Sequence, residues 1–154
     1  MNELLLIVSI AGSRVALSAS TIEGVVELDT LIPVPRAAAH IAGLSALRSR
    51  VLTVIDCRCS LDLGSTERNP GAQEAVVAEL DGHHYALLVD RVEDVIEAHG
   101  APSPVRAAMG PGWERVALGM VETEVGLLLL VDVAAIVGGP DHRAAINTPL
   151  SAAA

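Results

Sequence analysis

Residues 41–56 carry the sequence IAGLSALRSRVLTVID, whose second half, VLTVID at 51–56, is an apolar run that ends in an aspartate. Short runs of Val, Ile and Leu bounded by Gly, Pro, Asp or Asn are typical of strands in a packed or closed sheet. Such runs predict strands near 4–10, 14–20, 22–29, 51–57, 74–80, 84–90, 92–99, 116–121 and 126–132. Helix is sparse, with short helical turns expected at 37–41, 106–109 and 133–137. The pattern therefore predicts a mainly β protein.

The run at 51–56 has a counterpart in the second half of the chain. Leu127–Asp132 aligns with Val51–Asp56 at an offset of 76 residues, and Gly119 then falls on Gly43. Earlier matches occur at an offset of 70: 85–87 on 15–17, 92–97 on 22–27, and Gly82 on Gly12. Two halves of about 70 residues, each with four or five short strands, indicate an internal repeat. We expect two pseudo-repeated five-stranded barrel subdomains around a shared core.

The repeat sets the expected domain organisation. We expect one domain over residues 1–137, with a first barrel-like half at about 11–64, a second at about 74–137, and strand exchange between them. The stretch 62–71 is the clearest linker, and residues 138–154 are expected to form a flexible tail. Half a chain of this size rarely buries enough apolar area alone. The groove between the halves is thus the expected binding surface.

The composition excludes several classes of partner. All ten basic residues are arginine and face 19 acidic ones, which gives a formal net charge of −9 and leaves no basic stripe for a phosphate backbone. The chain has no Phe, one Trp and one Tyr, so it lacks stacking platforms for single-stranded nucleic acid. No apolar segment reaches the roughly 18 residues of a membrane helix. We expect no nucleic-acid partner and no direct membrane insertion.

The first apolar run and the cysteines bear on the cellular compartment. Leu4–Ile10 resembles the apolar part of a signal peptide, but Glu3 and the absence of a preceding positive charge argue against secretion. Cys57 and Cys59 lie two apart at what the pattern predicts to be the end of a strand, a spacing that supports neither a disulfide framework nor a four-ligand zinc site. We interpret them as small buried hydrophobes in a cytoplasmic protein.

Candidate chemical groups are dispersed along the sequence. His83 and His84 are neighbours on a strand and point to opposite faces, so they are expected to be solvated residues beside an Asp81-Gly82 turn. Three aspartates each close an apolar run and are expected to cap the turns that follow. They are Asp56, Asp90 and Asp132, and the remaining histidines are His40, His99 and His142. No Gly-x-Ser-x-Gly elbow, dinucleotide fingerprint or phosphate loop occurs. We predict no catalytic, cofactor or metal site.

Arg48 and Arg50 are the arginines that pattern alone does not explain. They lie in a turn before the strand that starts at Val51, among apolar residues, where a solvated charge and a recognition arginine are equally compatible with the sequence. The strand at 22–27 is likewise too apolar for a face exposed only to water. From the pattern alone, a solvated surface and a surface that contacts a partner remain equal alternatives for both features.

Residues 41–56 together with Arg58 resemble the central signature of CheW-like domains, I-x-G-L-x-N-L-R-G-x-V-L-P-V-I-D-L-R. The resemblance continues in order and spacing through four further segments: Ala16-Leu17, Pro33-x-Pro35, 87–92 and 127–132. The chain departs from the pattern with Ala46 for Asn, Ser49 for Gly, Thr53 for Pro, Cys57 for Leu and Gly24 for the usual Glu of the V-x-E-V strand. It is thus similar to a divergent member of the family.

This resemblance implies a non-catalytic adaptor that joins chemoreceptors, the methyl-accepting chemotaxis proteins, to the histidine kinase CheA. In that family the receptor tip docks in the groove between the subdomains, and the kinase regulatory domain packs end-on against the barrels. The motif positions imply that the partner-binding residues here are Ile22, Gly24, Arg48, Ala75 and Val95. The implied location is cytoplasmic, at receptor arrays beneath the inner membrane.

Two other hypotheses stay open from the sequence. A CheW-like adaptor could serve a chemosensory-like pathway that controls pilus motility or another output. A more distant alternative is a small ligand-binding or hydrolytic barrel that uses Asp56, Asp132 and the histidines. That alternative predicts a deep pocket in which polar groups converge.

Overall fold

The computed structural model of the chain describes residues 3–28, 30–65 and 73–140. The strands there are β1 (Leu4–Ile10), β2 (Ser13–Ser18), β3 (Ile22–Leu28), β4 (Ile41–Leu47), β5 (Arg50–Asp56), β6 (Gln73–Leu80), β7 (His83–Leu88), β8 (Arg91–Glu97), β9 (Ala117–Thr123) and β10 (Gly126–Val131). The α-helices are α1 (Cys57–Ser60), α2 (Pro111–Val116) and α3 (Val133–Gly138), and a short 3₁₀ helix spans Ala19–Thr21, where the strand predicted at 14–20 has already ended. The predicted mainly β class is confirmed.

The strands form two five-stranded sheets that are images of each other under the internal repeat. The first sheet has the order β8-β1-β2-β10-β9 and the second has the order β3-β6-β7-β5-β4. Replacing each strand by its counterpart five strands away converts one order into the other. Neighbouring strands are antiparallel except for the central pairs β2/β10 and β5/β7, which are parallel. Each half of the chain therefore gives two strands to one sheet and three to the other.

In each sheet, the segment that follows one edge strand pairs with the strand at the opposite edge and so closes the sheet into a barrel. We call it the closing segment. After β3 the chain returns to pair with β4, where Ile32 and Leu44 exchange two backbone hydrogen bonds of 2.8 Å. After β8 the equivalent bridge joins Ser103 to Met120 of β9, with two bonds of 2.7 Å. These bridges satisfy backbone groups that an open sheet edge would leave unpaired.

Gly43 and Gly119, which the repeat places at equivalent positions, make these bridges possible. Their φ angles are +151° and +146°, in a region that side chains rarely adopt. A Cβ atom on Gly43 would lie 2.4 Å from the Ile32 carbonyl oxygen, and one on Gly119 would lie 2.7 Å from the Ser103 carbonyl oxygen. A glycine is therefore required where the closing segment crosses each fourth strand.

The largest apolar cluster lies between the two sheets and draws on both halves of the chain. Repeat-related residues meet in it: Leu17 and Leu87 are both fully buried members, and Ile55 and Val131 are members at matching positions of β5 and β10. Two smaller apolar clusters are separate from it, and each is formed by residues of one barrel. The shared core explains why neither half could fold as an independent barrel.

The helices lie over the junction of the two halves. Asp56 caps α1, where its carboxylate accepts the backbone N–H groups of Arg58 and Cys59, and Asp132 caps α3 by accepting that of Ala134. The predicted capping roles of Asp56 and Asp132 are confirmed, so neither carboxylate is poised for the hydrolytic alternative. The strand prediction for Cys57 and Cys59 is wrong, because the cap turns the chain into a helix directly after Asp56.

Arg115 of α2 ties α1 to α3. Its Nη1 donates to the Ala135 carbonyl oxygen at 2.6 Å, and its Nη2 donates to the Ser60 carbonyl oxygen at 2.6 Å. The Ser60 hydroxyl donates in turn to the Ile136 carbonyl oxygen at 2.6 Å. This network uses a guanidinium to satisfy carbonyl groups at helix ends, which have no partner within their own helix.

Two predicted helical turns are wrong, and one strand was not predicted. At 37–41 the positive φ of Arg36 (+62°) breaks a helix, and β4 begins at Ile41 instead. At 106–109 no helix forms, and α2 starts at Pro111, where a proline without an N–H group suits the first helical turn. The turn predicted at 133–137 is confirmed as α3.

The proposed linker at 62–71 lies partly outside the described residues, and so do most of the predicted tail at 138–154 and His142. In the described part of the chain, no helix has the length and apolar character that crossing a membrane requires.

Candidate partner-binding surfaces

A cleft of about 200 Å³ on the second sheet brings together two of the predicted partner-binding residues, Gly24 and Arg48. Gly24 lies in β3, and Arg48 lies in the turn between β4 and β5. Side chains of the second sheet's own apolar cluster reach the bottom of the cleft. They are Val26, Leu47, Leu52 and Val77, and Glu23 and Arg50 complete the lining.

The turn that carries Arg48 has an unusual backbone. Arg48 and Ser49 form a two-residue connection with φ angles of +51° and +67°. Positive φ at both central positions is the pattern of a type I′ turn, which matches the twist of the two strands it joins and favours Asn-Gly. Neither Arg nor Ser suits this backbone, so the arginine is held at the turn at a conformational cost.

The remaining predicted partner-binding residues do not line this cleft. Ile22 is half-buried at the start of β3 and packs against the largest apolar cluster, between the two sheets. Val95 is 51% exposed on β8 of the first sheet. Ala75 is fully buried in the cluster of the second sheet. The expectation that its side chain reaches a partner does not fit this structure, because the side chain packs within that apolar cluster and has no exposed surface.

The charges around the cleft are unevenly paired. Glu23 accepts a hydrogen bond from Arg50 Nη1 at 3.1 Å and lies 3.4 Å from His84 Nε2. Over 3–28, 30–65 and 73–140, the guanidinium of Arg48 forms no hydrogen bond or ion pair. The lining of the cleft thus contains two arginines and one glutamate, and the carboxylate of Glu79 lies next to that of Glu23 outside the lining.

Glu23, Glu79 and His84 could together offer three metal ligands, since one donor atom of each lies within 4.8 Å of the others. The two glutamates are exposed, and the ion pair between Glu23 and Arg50 competes for the carboxylate that a cation would need. The repeat places a comparable pair on the first sheet, where Arg14 bonds to Glu93 at 3.2 Å. We interpret both groups as surface ion pairs.

An apolar groove of about 470 Å³ lies on the first sheet. Its walls come from β2, β9, β10 and the segment 105–113, and it includes Trp113 and Leu127. Leu127 is 62% exposed, and the same hairpin exposes Leu118 and Val125. Several large apolar side chains exposed together are characteristic of protein contact surfaces. The groove could not be predicted from the sequence, because its residues come from four separate segments.

The cysteines are unsuited to nucleophilic chemistry. Burial raises the pKa of the Cys57 thiol strongly, and the carboxylates of Asp56 and Asp90 raise it further. The pKa of Cys59 is also raised, by burial first and then by Asp56 and Asp62. Thiols with raised pKa values carry little of the reactive thiolate at neutral pH. The interpretation as a small buried hydrophobe is confirmed for Cys57, whereas Cys59 is only partly buried.

Asp90 plays a different part from the one predicted. Its carboxylate accepts the backbone N–H of Gly12 at 2.9 Å and bonds to Arg58 Nη2 at 3.1 Å. It therefore joins the β1–β2 turn to α1 and does not cap its own turn. Arg58, the last position of the family signature, has a structural role here.

The chain forms two repeat-related barrels that exchange strands. One sheet carries a charged cleft and the other an apolar groove. These features define a β-barrel binding module. The family model for the CheW-like domain matches residues 4–140. The chain belongs to the CheW-like domain family, whose members are non-catalytic scaffold proteins. The expected resemblance is thereby confirmed.

The structure of this chain also resembles a solved one. The crystal structure of the scaffolding protein TtCheW from Thermoanaerobacter tengcongensis matches with a TM-score of 0.72 and 19% sequence identity, over 86% of this chain and 90% of that chain. At this identity the likeness establishes the fold. None of the curated proteins matches the chain.

Proposed function

We propose that this protein is an adaptor that couples chemoreceptors to a CheA-type histidine kinase in bacterial chemotaxis. Membership of the CheW-like family carries the proposal, because scaffolding is the role of that family. The proposed location is the cytoplasm, at receptor arrays beneath the inner membrane. Coupling requires that the receptor and the kinase bind at the same time, so it requires two separate surfaces.

The receptor tip is proposed to contact the second sheet near the cleft that contains Arg48. Gly24 and Arg48 line this cleft, and Ile22 lies on the same strand as Gly24. Val95 is an exposed residue on the edge strand of the other sheet, at the repeat position of the exposed Val25. We propose that these two exposed valines extend the receptor contact from one sheet to the other.

The kinase regulatory domain is proposed to dock on the apolar groove of the first sheet. The groove shares no residue with the cleft, so one partner need not displace the other. Leu127 is the most exposed large apolar side chain of its lining, and we propose it as a central contact.

The test measures the binding of each partner separately, with the receptor cytoplasmic fragment and the kinase regulatory region taken from the same genome. Arg48→Glu is expected to weaken receptor binding by about 2 kcal/mol, roughly thirtyfold, and to leave kinase binding within threefold. Leu127→Arg is expected to do the reverse. Leu63→Arg, at an exposed leucine outside both surfaces, is the matched control. Loss of both partners in one folded surface variant would contradict the assignment of two separate surfaces.

A further inference from the structure

We propose that the cleft beside Gly24 receives a carboxylate side chain from the partner and that Arg48 is its counter-ion. This inference rests on the proposed function, because it specifies the chemistry of the receptor contact. Family membership does not supply it, since the chain departs from the family pattern at Gly24 itself.

The space for such a side chain is present. A Cβ atom built on Gly24 would meet no other atom within 4 Å, so this face of β3 is open where other side chains would fill it. The cleft measures about 200 Å³, which is below the roughly 300–1,000 Å³ of pockets that enclose small-molecule ligands. Its size suits one inserted side chain better than a free ligand.

The positive charge of Arg48 favours an anionic side chain from the partner. Arg50 is neutralised by Glu23 at 3.1 Å, whereas Arg48 makes no ion pair within the described ranges. The chain carries a formal net charge of −9, and the lining of this cleft places two arginines against one glutamate. Arginine presents a planar fork of N–H donors that fits a carboxylate with two parallel hydrogen bonds.

The apolar residues that line the cleft favour a partner side chain that has methylene groups next to its carboxylate. Leu52 is fully buried and Val77 nearly so, and Val26 and Leu47 pack against the same cluster. A glutamate places methylene groups against such a surface while its carboxylate reaches the rim. We therefore assign the occupant as a glutamate of the receptor tip, with an aspartate as the shorter alternative of the same chemistry.

The first arm of the test does not need the receptor. In ¹⁵N-labelled full-length protein, N-acetyl-glutamic acid α-amide is titrated while the Arg48 Nε–Hε resonance is followed by NMR. We expect a saturable shift at least tenfold larger than that caused by N-acetyl-glutamine α-amide. The exposed Arg106, which lies outside the cleft, is the internal control and should not respond. Equal shifts with both probes, or an equal shift at Arg106, would overturn the proposal.

The second arm compares Gly24→Glu with Gly24→Gln for binding to the receptor fragment. Both side chains occupy the cleft to the same extent, but only the glutamate pairs with Arg48 and repels an incoming carboxylate. We expect Gly24→Glu to bind at least fivefold more weakly than Gly24→Gln, with both variants folded. Equal affinities would overturn the carboxylate assignment. If the unsubstituted chain does not bind the fragment at all, the proposed function fails, and the first arm still decides the chemistry of the cleft.

Discussion

At the scale of single residues, the glycines show how local geometry sets tolerance to substitution. Gly43 has a positive φ and lies against the backbone of Ile32, so both its conformation and its lack of a side chain are required. Gly24 has neither constraint, because the space around it is open. The two residues lie in the same sheet and yet serve opposite purposes: one closes the barrel and the other leaves a cleft.

Gly43→Ala is expected to lower the free energy of unfolding by about 2–4 kcal/mol, since the new methyl group collides with the closing segment and the backbone is strained. Gly24→Ala is the matched control and is expected to leave the stability unchanged or to raise it by up to about 1 kcal/mol. Urea denaturation followed by circular dichroism measures both values. Similar midpoints for the two variants would contradict the proposed role of Gly43 in barrel closure.

Cys59 gives a prediction about pH. Because its pKa is raised, the fraction of reactive thiolate at pH 8 is smaller than in an unstructured peptide. Labelling of the native protein with Ellman's reagent should therefore be slower than labelling of a cysteine peptide at pH 8, and it should accelerate as the pH rises above 9. The buried Cys57 should react only after unfolding. Native labelling that outpaces the free peptide at pH 7 would show that the environment of Cys59 has been misassigned.

At the scale of elements, the junction of the three helices depends on one side chain. Arg115 donates to carbonyl oxygens of α1 and α3 and is partly buried while doing so. Its removal would leave polar backbone groups without these partners, and such groups are costly when buried.

Arg115→Met preserves much of the aliphatic volume and removes the guanidinium. The expected loss is about 2–4 kcal/mol of unfolding free energy. Arg106→Met, at an exposed arginine, should change the stability by no more than about 0.5 kcal/mol. Thermal unfolding of the two variants provides the comparison. A loss for Arg115→Met no larger than that of the control would mean that the junction is held by packing alone.

The elements also show what could be predicted from the sequence. Apolar runs ending in Asp or Gly predicted β1, β5 and β10 closely, because a strand that is buried on one or both faces needs Val, Ile and Leu. The strand β4 was missed since Gly43, Ser45 and Ala46 interrupt its apolar pattern. The match of Gly119 with Gly43 contained the missing information, because the strand predicted at 116–121 has its repeat counterpart there.

The candidate site was predictable only in part, for a physical reason. Arg48 and Gly24 were identified from their positions in a family pattern, and the structure places both in one cleft. Ala75 is buried because its side chain packs against residues of several other strands, and such packing between distant segments is not determined by local sequence. The apolar groove depends in the same way on the packing of distant segments.

At the scale of the whole molecule, the repeat explains how a small chain offers two surfaces. Cross-pairing of the halves gives each barrel strands from both, and the shared core holds the barrels together. The divergence between the halves then differentiates their surfaces: one sheet carries the charged cleft and the other carries the apolar groove. A scaffold needs this asymmetry, since two identical surfaces could not distinguish two partners.

The measurement that tests coupling most directly is the fraction of CheA-type kinase that sediments with receptor-containing vesicles as the concentration of this chain is raised. We predict that the fraction rises with the unsubstituted protein, and that Arg48→Glu and Leu127→Arg, while remaining folded, each shift the rise to roughly thirtyfold higher concentration. Kinase that sediments to the same extent with and without the chain, although the chain itself binds the vesicles, would contradict the adaptor function.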